Sequence, residues 1–417
     1  MAEKLAIAGG KPVRGEDNPL PSVFPRRIPQ RAYELTREVL DKGFSFDRFS
    51  LMVERFERKL AEVSGSKYAI AVHNCTAALH AAIAALDCEA GDEIIVSAIS
   101  DFGSAEGIVS ERLVPVFADV DELTGVTTAE DIEKVITKRT RAIIVVHFYG
   151  QMCDMDPIME LANRRNIPVF EDIAQAPFVK YKGRLAGTIG LAGAFSFAPE
   201  KTISIDGLGA LITDDEEFAR LVRLYSQTRG VEKEIEGFGR VHSRLGINFR
   251  PDQLRCALGI AQLEAFPEKL ERRIELGEAL TEKLSHIEGI TPCRSPNKEI
   301  GHGYWLYSFQ IEEDRFKCSR DDFAQALRAE GLKDCGLARY YLLPESMAML
   351  HKGTKEYNKL VKTIPRLAER EYSGDMTPKA KRHLDRTIRW CWTDKYTEQD
   401  VEDMARAIKK VAEYYRQ

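Results

Sequence analysis

Between about residue 65 and residue 265, short apolar runs alternate with longer segments of helical character. Tyr68–Val72, Glu93–Val96, Val114–Phe117, Arg141–His147 and Pro168–Glu171 carry few polar positions, and Ala194–Phe197 and Ala210–Thr213 add two more such runs. A strand without polar alternation is buried on both faces, as in a parallel sheet covered by helices. The segments between them, such as Thr76–Leu86 and Pro157–Arg165, read as helices. Strand–helix alternation of this kind predicts an α/β fold with a doubly wound sheet. A helix over about Pro251–Ala265 closes this part, Pro267 is expected to break the chain, and a charged helix should follow over about 268–286. The remainder holds a strand at Tyr304–Ile311, a helix at Ser319–Glu330 and a last helix from Thr397, where Thr-Glu-Gln-Asp forms a capping-box pattern. The expected organisation is an N-terminal arm over 1–30, a large domain over 31–265 and a smaller C-terminal α/β domain over 266–417.

Composition narrows the class. Over 417 residues, 44% are apolar and 30% charged, which suits a globular chain of two domains. A net charge of −5 argues against general nucleic-acid binding. No apolar run approaches the roughly 18 residues of a membrane span. The first residues lack the apolar stretch of about 7–15 residues that marks a signal peptide. A cytoplasmic protein without membrane or nucleic-acid partners is expected. The eight cysteines, at 75, 88, 153, 256, 293, 318, 335 and 391, show no C-x-x-C spacing and read as thiols in a reducing compartment. The G-x-x-x-x-G-K-[ST] and H-E-x-x-H motifs are absent, and the eight histidines do not cluster at metal spacing, so no metal is expected.

Ligands of open α/β sheets bind beyond the carboxyl ends of the strands. Three polar features fall there. Asn74-Cys75-Thr76 sits between a strand and a helix start, where free N–H groups suit a phosphate. Glu171-Asp172-Ile-Ala-Gln175 directly follows a buried strand, where a carboxylate needs a compensating partner. Lys201 follows an apolar strand within Phe195-Ser-Phe-Ala-Pro-Glu-Lys201, and a desolvated lysine can form a Schiff base. Taken singly, the first two read equally as helix caps and the third as a solvated surface lysine. Together, a phosphate cradle, an acid and a lysine on one sheet edge match the needs of pyridoxal phosphate (PLP).

Motifs in order along the chain carry a family likeness. They are Gly65-x-Lys67-Tyr-Ala-Ile-Ala-Val-x-Asn74-Cys-Thr76-Ala-Ala-Leu79, Gly91-Asp-Glu-Ile-Ile-Val96, Pro115-Val-Phe-x-Asp119-Val and Val146-His147-x-Tyr-Gly150 with Asp154. Glu171-Asp172-x-Ala-Gln175-Ala, Phe195-Ser196-Phe-x-Pro-x-Lys201, Leu245-Gly-x-Asn248-Phe-Arg250 and Gln262-Leu263 with Arg272-Arg273 complete the set. From about Phe44 onward the chain resembles the DegT/StrS family of fold-type I PLP-dependent aminotransferases, which aminate keto-sugars and cyclitols.

The resemblance implies a large domain with a mostly parallel central sheet plus a smaller C-terminal α/β domain. It implies PLP, cycling with its pyridoxamine form (PMP), and a homodimer with shared active sites. The amino donor would be L-glutamate or L-glutamine, and the acceptor a keto-sugar, nucleotide keto-sugar or cyclitol ketone. Lys201 would form the internal aldimine and shuttle the proton, Asp172 would pair with the ring nitrogen, and Gln175 would bond the ring 3-oxygen. Asn74, Cys75, Thr76 and Ser196 would hold the phosphate. Asn248 would reach the phosphate of the neighbouring subunit, with Arg250 on the same crossing loop. His302 and Trp305 would stand near the substrate mouth.

The chain departs from the family's pattern in three places. Asp101 stands where an aromatic residue usually covers the cofactor ring, so it would contact ring or substrate, or else cap the next helix. Asp206-Gly207-Leu208-Gly209 lacks the usual Glu, and Cys75 replaces a usual glycine. These changes leave a second reading open, a PLP enzyme of another reaction type such as a lyase, decarboxylase or elimination enzyme. A non-catalytic PLP-binding regulator is a third, against which the joint presence of Lys201, Asp172 and Gln175 speaks. Arg339, Tyr340 and Tyr341 could line a substrate mouth, but a packed aromatic segment of the small domain is the favoured reading.

Overall fold

The fold follows from where the continuous apolar runs pair. β1 (Tyr68–Val72), β2 (Glu93–Ser97), β3 (Val114–Ala118), β4 (Thr140–Val146) and β5 (Val169–Asp172) are followed by a small hairpin, β6 (Lys180–Tyr181) and β7 (Arg184–Leu185), and then by β8 (Ala192–Ser196) and β9 (Gly209–Thr213). This computed structural model describes residues 3–42, 51–233, 239–336 and 339–416; Phe44, the expected start of the resemblance, lies outside the described residues. One sheet takes the order β1-β9-β8-β5-β4-β2-β3. All neighbours run parallel except β9, which is antiparallel to both β1 and β8. β2, β3, β5, β8 and β9 are buried at every position, as runs without polar alternation require.

Helices cover this sheet: α1 (Gln30–Lys42), α2 (Leu51–Ser64), α3 (Cys75–Ala84), α4 (Gly103–Ser110), α5 (Ala129–Glu133), α6 (Met155–Arg165), α7 (Glu216–Ser226) and α8 (Gln253–Ser285). α3 is apolar nearly all round, which suits its burial from Ala77 to Ile83. A short ribbon of β10 (Val231–Lys233) and β11 (Val241–His242) follows α7.

The expected break at Pro267 does not occur, because α8 runs unbroken through that residue. An interior proline costs about 3 kcal/mol. Leu263 and Phe266 before it, and Leu270, Leu276 and Leu280 after it, are all buried. Each such side chain contributes about 1.5–3 kcal/mol on burial, so together they outweigh the lost backbone bond. α8 belongs to two apolar clusters, one under the sheet and one beyond Leu276.

The second cluster packs against a three-stranded antiparallel sheet of β12 (Ile290–Pro292), β13 (Leu306–Ile311) and β14 (Thr387–Cys391). Residue 304 was expected inside a strand, but β13 starts only at Leu306 because Tyr304 has a left-handed φ of 49°. α9 (Arg320–Ala329), α10 (Leu343–Ser346), α11 (Lys355–Thr363), α12 (Pro378–Arg386) and α13 (Glu398–Tyr415) complete the chain. The capping box at Thr397 forms as the sequence suggests, with Asp400 as its reciprocal partner.

The N-terminal arm is held by buried charge pairs. Arg14 is buried between Asp400 and Asp403 of α13, while Glu330 accepts from the amides of Ala6 and Val13. No helix of the described residues is long and apolar enough to cross a membrane.

Candidate active site

The site gathers at the carboxyl ends of β5 and β8. Asp172 ends β5 and is buried. Its Oδ1 accepts from the Ala174 amide at 3.0 Å and its Oδ2 from the Ser104 hydroxyl at 2.6 Å. Ser104 Oγ lies 2.6 Å from Ser100 Oγ. Burial pushes the Asp172 carboxyl above its ordinary value; the two hydrogen bonds and the charge of Lys201 oppose that push.

Glu171, its neighbour, does different work. Successive strand residues face opposite sides, and Glu171 points to the loop after β7. It accepts from the amides of Gly187, Ile189 and Gly190 at 2.9, 2.7 and 2.7 Å. His147 completes the set at 3.0 Å; its Nδ1 accepts the Cys153 amide, so Nε2 carries the proton toward Glu171. Burial opposes ionisation of Glu171, but these donors outweigh it and hold the carboxyl below its ordinary value. Glu171 anchors the loop, and Asp172 is the acid available to a ligand.

Gln175 accepts the Tyr149 amide on Oε1 at 2.6 Å and donates from Nε2 to the Tyr340 hydroxyl at 3.1 Å. Tyr340 packs among Phe148, Tyr149 and Trp305. It therefore joins the site as well as packing, where the sequence had favoured packing over a place at a substrate mouth. The segment behind it is pinned by a bridge from Leu342 to Ile99 and a bond from the Leu343 amide to the Ala98 carbonyl.

Lys201 is buried in the loop joining β8 to β9. Its Nζ lies 4.2 Å from the Trp305 ring centroid and 3.7 Å from Glu200 Oε1. The peptide carrying it is fixed from two sides. Arg26 of the arm donates to the Lys201 carbonyl at 2.9 Å, and Trp305 Nε1 donates to the Glu200 carbonyl at 2.9 Å.

Asn74 caps α3, its side chain accepting the Ala77 amide at 2.8 Å. The plain capping role is thus real, and it leaves the Cys75 and Thr76 N–H groups without intrahelical acceptors. Two glycines let the backbone close around this turn. A Cβ on Gly209 would fall 2.1 Å from the Asn74 carbonyl carbon, and one on Gly103 would fall 2.4 Å from Thr76 Oγ1. Ser196 ends β8 opposite Gly209, and the Cys75 thiol lies 3.7 Å from the Ala194 carbonyl.

Asp101 stands beside Gly103 and Thr76 at the edge of the cradle. Asp101 is exposed, and its carboxylate accepts the Gly103 amide at 2.9 Å at the start of α4. Asn248 and Arg250 are exposed and bond each other at 2.8 Å, while the Phe249 carbonyl between them takes the His73 amide. His302 is buried in the wall of a different cleft with Phe178 and Leu270, and its Nδ1 accepts the Tyr304 amide at 2.9 Å. Burial drives its pKa down to about 3, so its ring is neutral. Ser104 was not picked out as a site residue from sequence, although a serine pair spaced by four at a helix start was an available signal, and Tyr340 was offered only as an alternative to packing.

A lysine amine, a buried carboxylate, an amide donor and a hydroxyl-lined helix start fit the groups of pyridoxal phosphate. The cradle that a Cβ at Gly209 or Gly103 would fill is the feature a phosphate needs. Among the described residues no cluster of His, Cys, Asp or Glu could hold a metal ion.

Comparison with known proteins agrees with this geometry. Residues 28–389 match the DegT/DnrJ/EryC1/StrS aminotransferase family. The GDP-perosamine synthase of Escherichia coli O157:H7 is 33% identical over 69% of this chain and 76% of that protein. A putative L-glutamine:3-amino-2,3-dideoxy-scyllo-inosose aminotransferase of Streptoalloteichus tenebrarius is 35% identical over 82% of this chain and 81% of that protein. The X-ray structure of an aminotransferase from Psychrobacter cryohalolentis shares the fold with a TM-score of 0.79 at 28% identity, covering 95% of this chain and 99% of that one.

Proposed function

The chain belongs to the DegT/DnrJ/EryC1/StrS aminotransferase family, and we propose that it moves an amino group from L-glutamate or L-glutamine to a ketone on a sugar, nucleotide sugar or cyclitol. The observation that carries this reading is the convergence of Lys201, Asp172 and Gln175 at one sheet edge beside the α3 cradle. Pyridoxal phosphate, when bound, supplies the electron sink that makes the amino donor's Cα–H acidic.

The protein's own residues divide the remaining work. Lys201 Nζ, lodged under Trp305, takes the proton from the donor's Cα and later returns it. Asp172 is the ionic partner for a ring nitrogen, and Ser104 keeps a donor on that carboxylate. Gln175 Nε2 donates to the ring oxygen. Thr76, the N–H groups at Cys75 and Thr76, and Ser196 take the phosphate. Tyr149, Tyr340 and Trp305 form an aromatic wall that excludes water around the amine.

Asn248 and Arg250 face outward, which supports their service to a second copy, so the active unit is a homodimer with shared sites. We place the enzyme in the cytoplasm and divide it near residue 265 into a cofactor-binding part and a C-terminal part. Relatives that act with L-glutamine on cyclitols favour that donor and acceptor class.

The experiment is to load purified protein with PLP and add L-glutamate and L-glutamine separately. A change in the cofactor absorption with one donor, reversed by a keto-sugar or keto-cyclitol, is expected. Absorption indifferent to both donors overturns the reading. Lys201→Ala should abolish the change, and borohydride treatment should attach the cofactor's mass to the Lys201 peptide only in the unaltered protein.

A further inference from the structure

The loop over 243–250 presents side chains that its own chain leaves uncovered. Leu245 is 90% exposed and Ile247 42%, and Asn248 and Arg250 are exposed on either side of Phe249. The loop is nonetheless fixed. The Ile247 and Phe249 amides donate to the Tyr225 and Ser226 carbonyls, both at 2.7 Å, and the Phe249 ring packs on those of His80 and Tyr225. With Phe249 turned inward, its two neighbours face outward together, and Arg250 Nε donates to Asn248 Oδ1 at 2.8 Å.

A complementary surface lies at the edge of the α3 cradle. Asp101 is exposed there, and Phe102 beside it is 38% exposed. Asp101 Oδ1 accepts the Gly103 amide at 2.9 Å. A Cβ on Gly103 would fall 3.3 Å from that oxygen and 2.4 Å from Thr76 Oγ1, so the carboxylate borders the cradle. Among the described residues, no ion pair joins Asp101 or Arg250 to an opposite charge, and none joins them to each other within the chain.

One surface thus carries a guanidinium beside bare aliphatic side chains, and the other a carboxylate beside a bare aromatic ring. They match in charge and in polarity, as the two sides of a protein interface do. We propose that Asp101 of each copy in the homodimer receives Arg250 of the partner subunit, with Phe102 covered by Leu245 of the partner subunit. The homodimer belongs to the reading given above, on which this inference rests; the task of Asp101 within it is new. Two-fold symmetry makes the contact twice per dimer. Because Arg250 holds Asn248, Asp101 is a positioning residue: it sets Asn248 of the partner subunit beside Thr76 through the guanidinium between them.

The test uses the full-length protein loaded with PLP and reads the dimer dissociation constant by sedimentation over a dilution series. Asp101→Arg and Arg250→Asp each place like charges at both contacts, and each homodimer should dissociate at least about tenfold more readily. Mixed in equal amounts, the two variants form a heterodimer in which both contacts join opposite charges. The constant should then return to within about twofold of the unaltered protein, and only a contact between subunits is rescued by mixing. Asp101→Asn and Arg250→Gln give a milder cycle should a charge reversal fail to fold; their double variant should lose no more than the worse single. Dissociation unchanged in both reversals, no recovery on mixing, or additive losses in the milder cycle overturns the proposal. An unaltered protein that is monomeric overturns the shared-site reading and this proposal with it. Cofactor absorption indifferent to amino donors overturns the amination reading alone.

Discussion

The Ser104 hydroxyl donates to Oδ2 of Asp172 across 2.6 Å, joining the start of α4 to the end of β5. It is the only side-chain donor on that buried carboxylate among the described residues. Burial already raises the Asp172 pKa, and Ser104 is the largest of the effects holding it down. Ser104→Ala should raise it further, which weakens the pairing of the carboxylate with a cationic ring nitrogen. A hydrogen bond to a charged group is worth about 1.5–3 kcal/mol, so kcat/KM should fall about 10- to 100-fold. The acidic limb of the pH–rate profile should also move to higher pH in Ser104→Ala. A fall in rate with that limb unmoved would mean Ser104 acts through packing alone.

Gly209 sets the shape of the cradle through the absence of a side chain. Ala at this position would drive its Cβ to 2.1 Å from the Asn74 carbonyl carbon and 2.5 Å from the Cys75 nitrogen. Neither neighbour is a flexible side-chain end, so the α3 turn must shift. PLP affinity of Gly209→Ala, measured by equilibrium dialysis, should drop by at least about tenfold, equivalent to about 1.4 kcal/mol. Unchanged affinity would show that the turn tolerates displacement.

Arg14 ties the arm to α13 through Asp400 and Asp403, with all three side chains buried. Removing one partner of such a group leaves uncompensated charge in the interior and costs about 3–5 kcal/mol. Arg14→Ala should lower the urea midpoint accordingly. Replacing all three with apolar residues should cost much less than the single change; an equal cost would point to the arm's own packing.

His302 and His383 make the fold sensitive to acid. Burial lowers their pKa values from 6.5 to about 3 and about 4. Above pH 6.5 both are neutral folded or unfolded. As pH falls below that, the unfolded chain binds protons the folded chain refuses, so stability is lost on the way toward pH 4. Each histidine contributes up to about 1.4 kcal/mol per pH unit in that window. Denaturant midpoints between pH 7 and pH 5 should therefore fall, and fall less steeply in His302→Asn.

Continuous apolar runs identified the strands because a sheet covered on both faces leaves them no polar positions. The same burial hides direction: β9 is as apolar as its parallel neighbours, so its reversal left no mark in the sequence. Lys201, Asp172 and Gln175 could be singled out because each lies at or within a few residues of the carboxyl end of a buried strand. Ser104 was not, and Tyr340 was set below packing, since their partners Asp172 and Gln175 lie 68 and 165 residues away. Pro267 misled because local propensity says nothing about the apolar side chains that hold both halves of α8 in place. Asp101 was read as a ligand contact or a cap; it accepts the Gly103 amide and stands beside Thr76 at the cradle.

The reversal of β9 has a further result. The chain leaves β8 at Ser196, carries Lys201, and returns at Gly209 directly alongside the strand it left. A parallel neighbour would have required a long crossover before the chain could come back. The buried Lys201 is thus borne on a short closed loop whose two ends are locked by one ladder, and little loop-closure entropy is spent in ordering it. Since Gly209 also presses on the first turn of α3, amine and phosphate cradle share one backbone frame. Their separation is set by main-chain pairing, so surrounding side chains are free to diverge as the acceptor changes without detuning the distance the chemistry depends on.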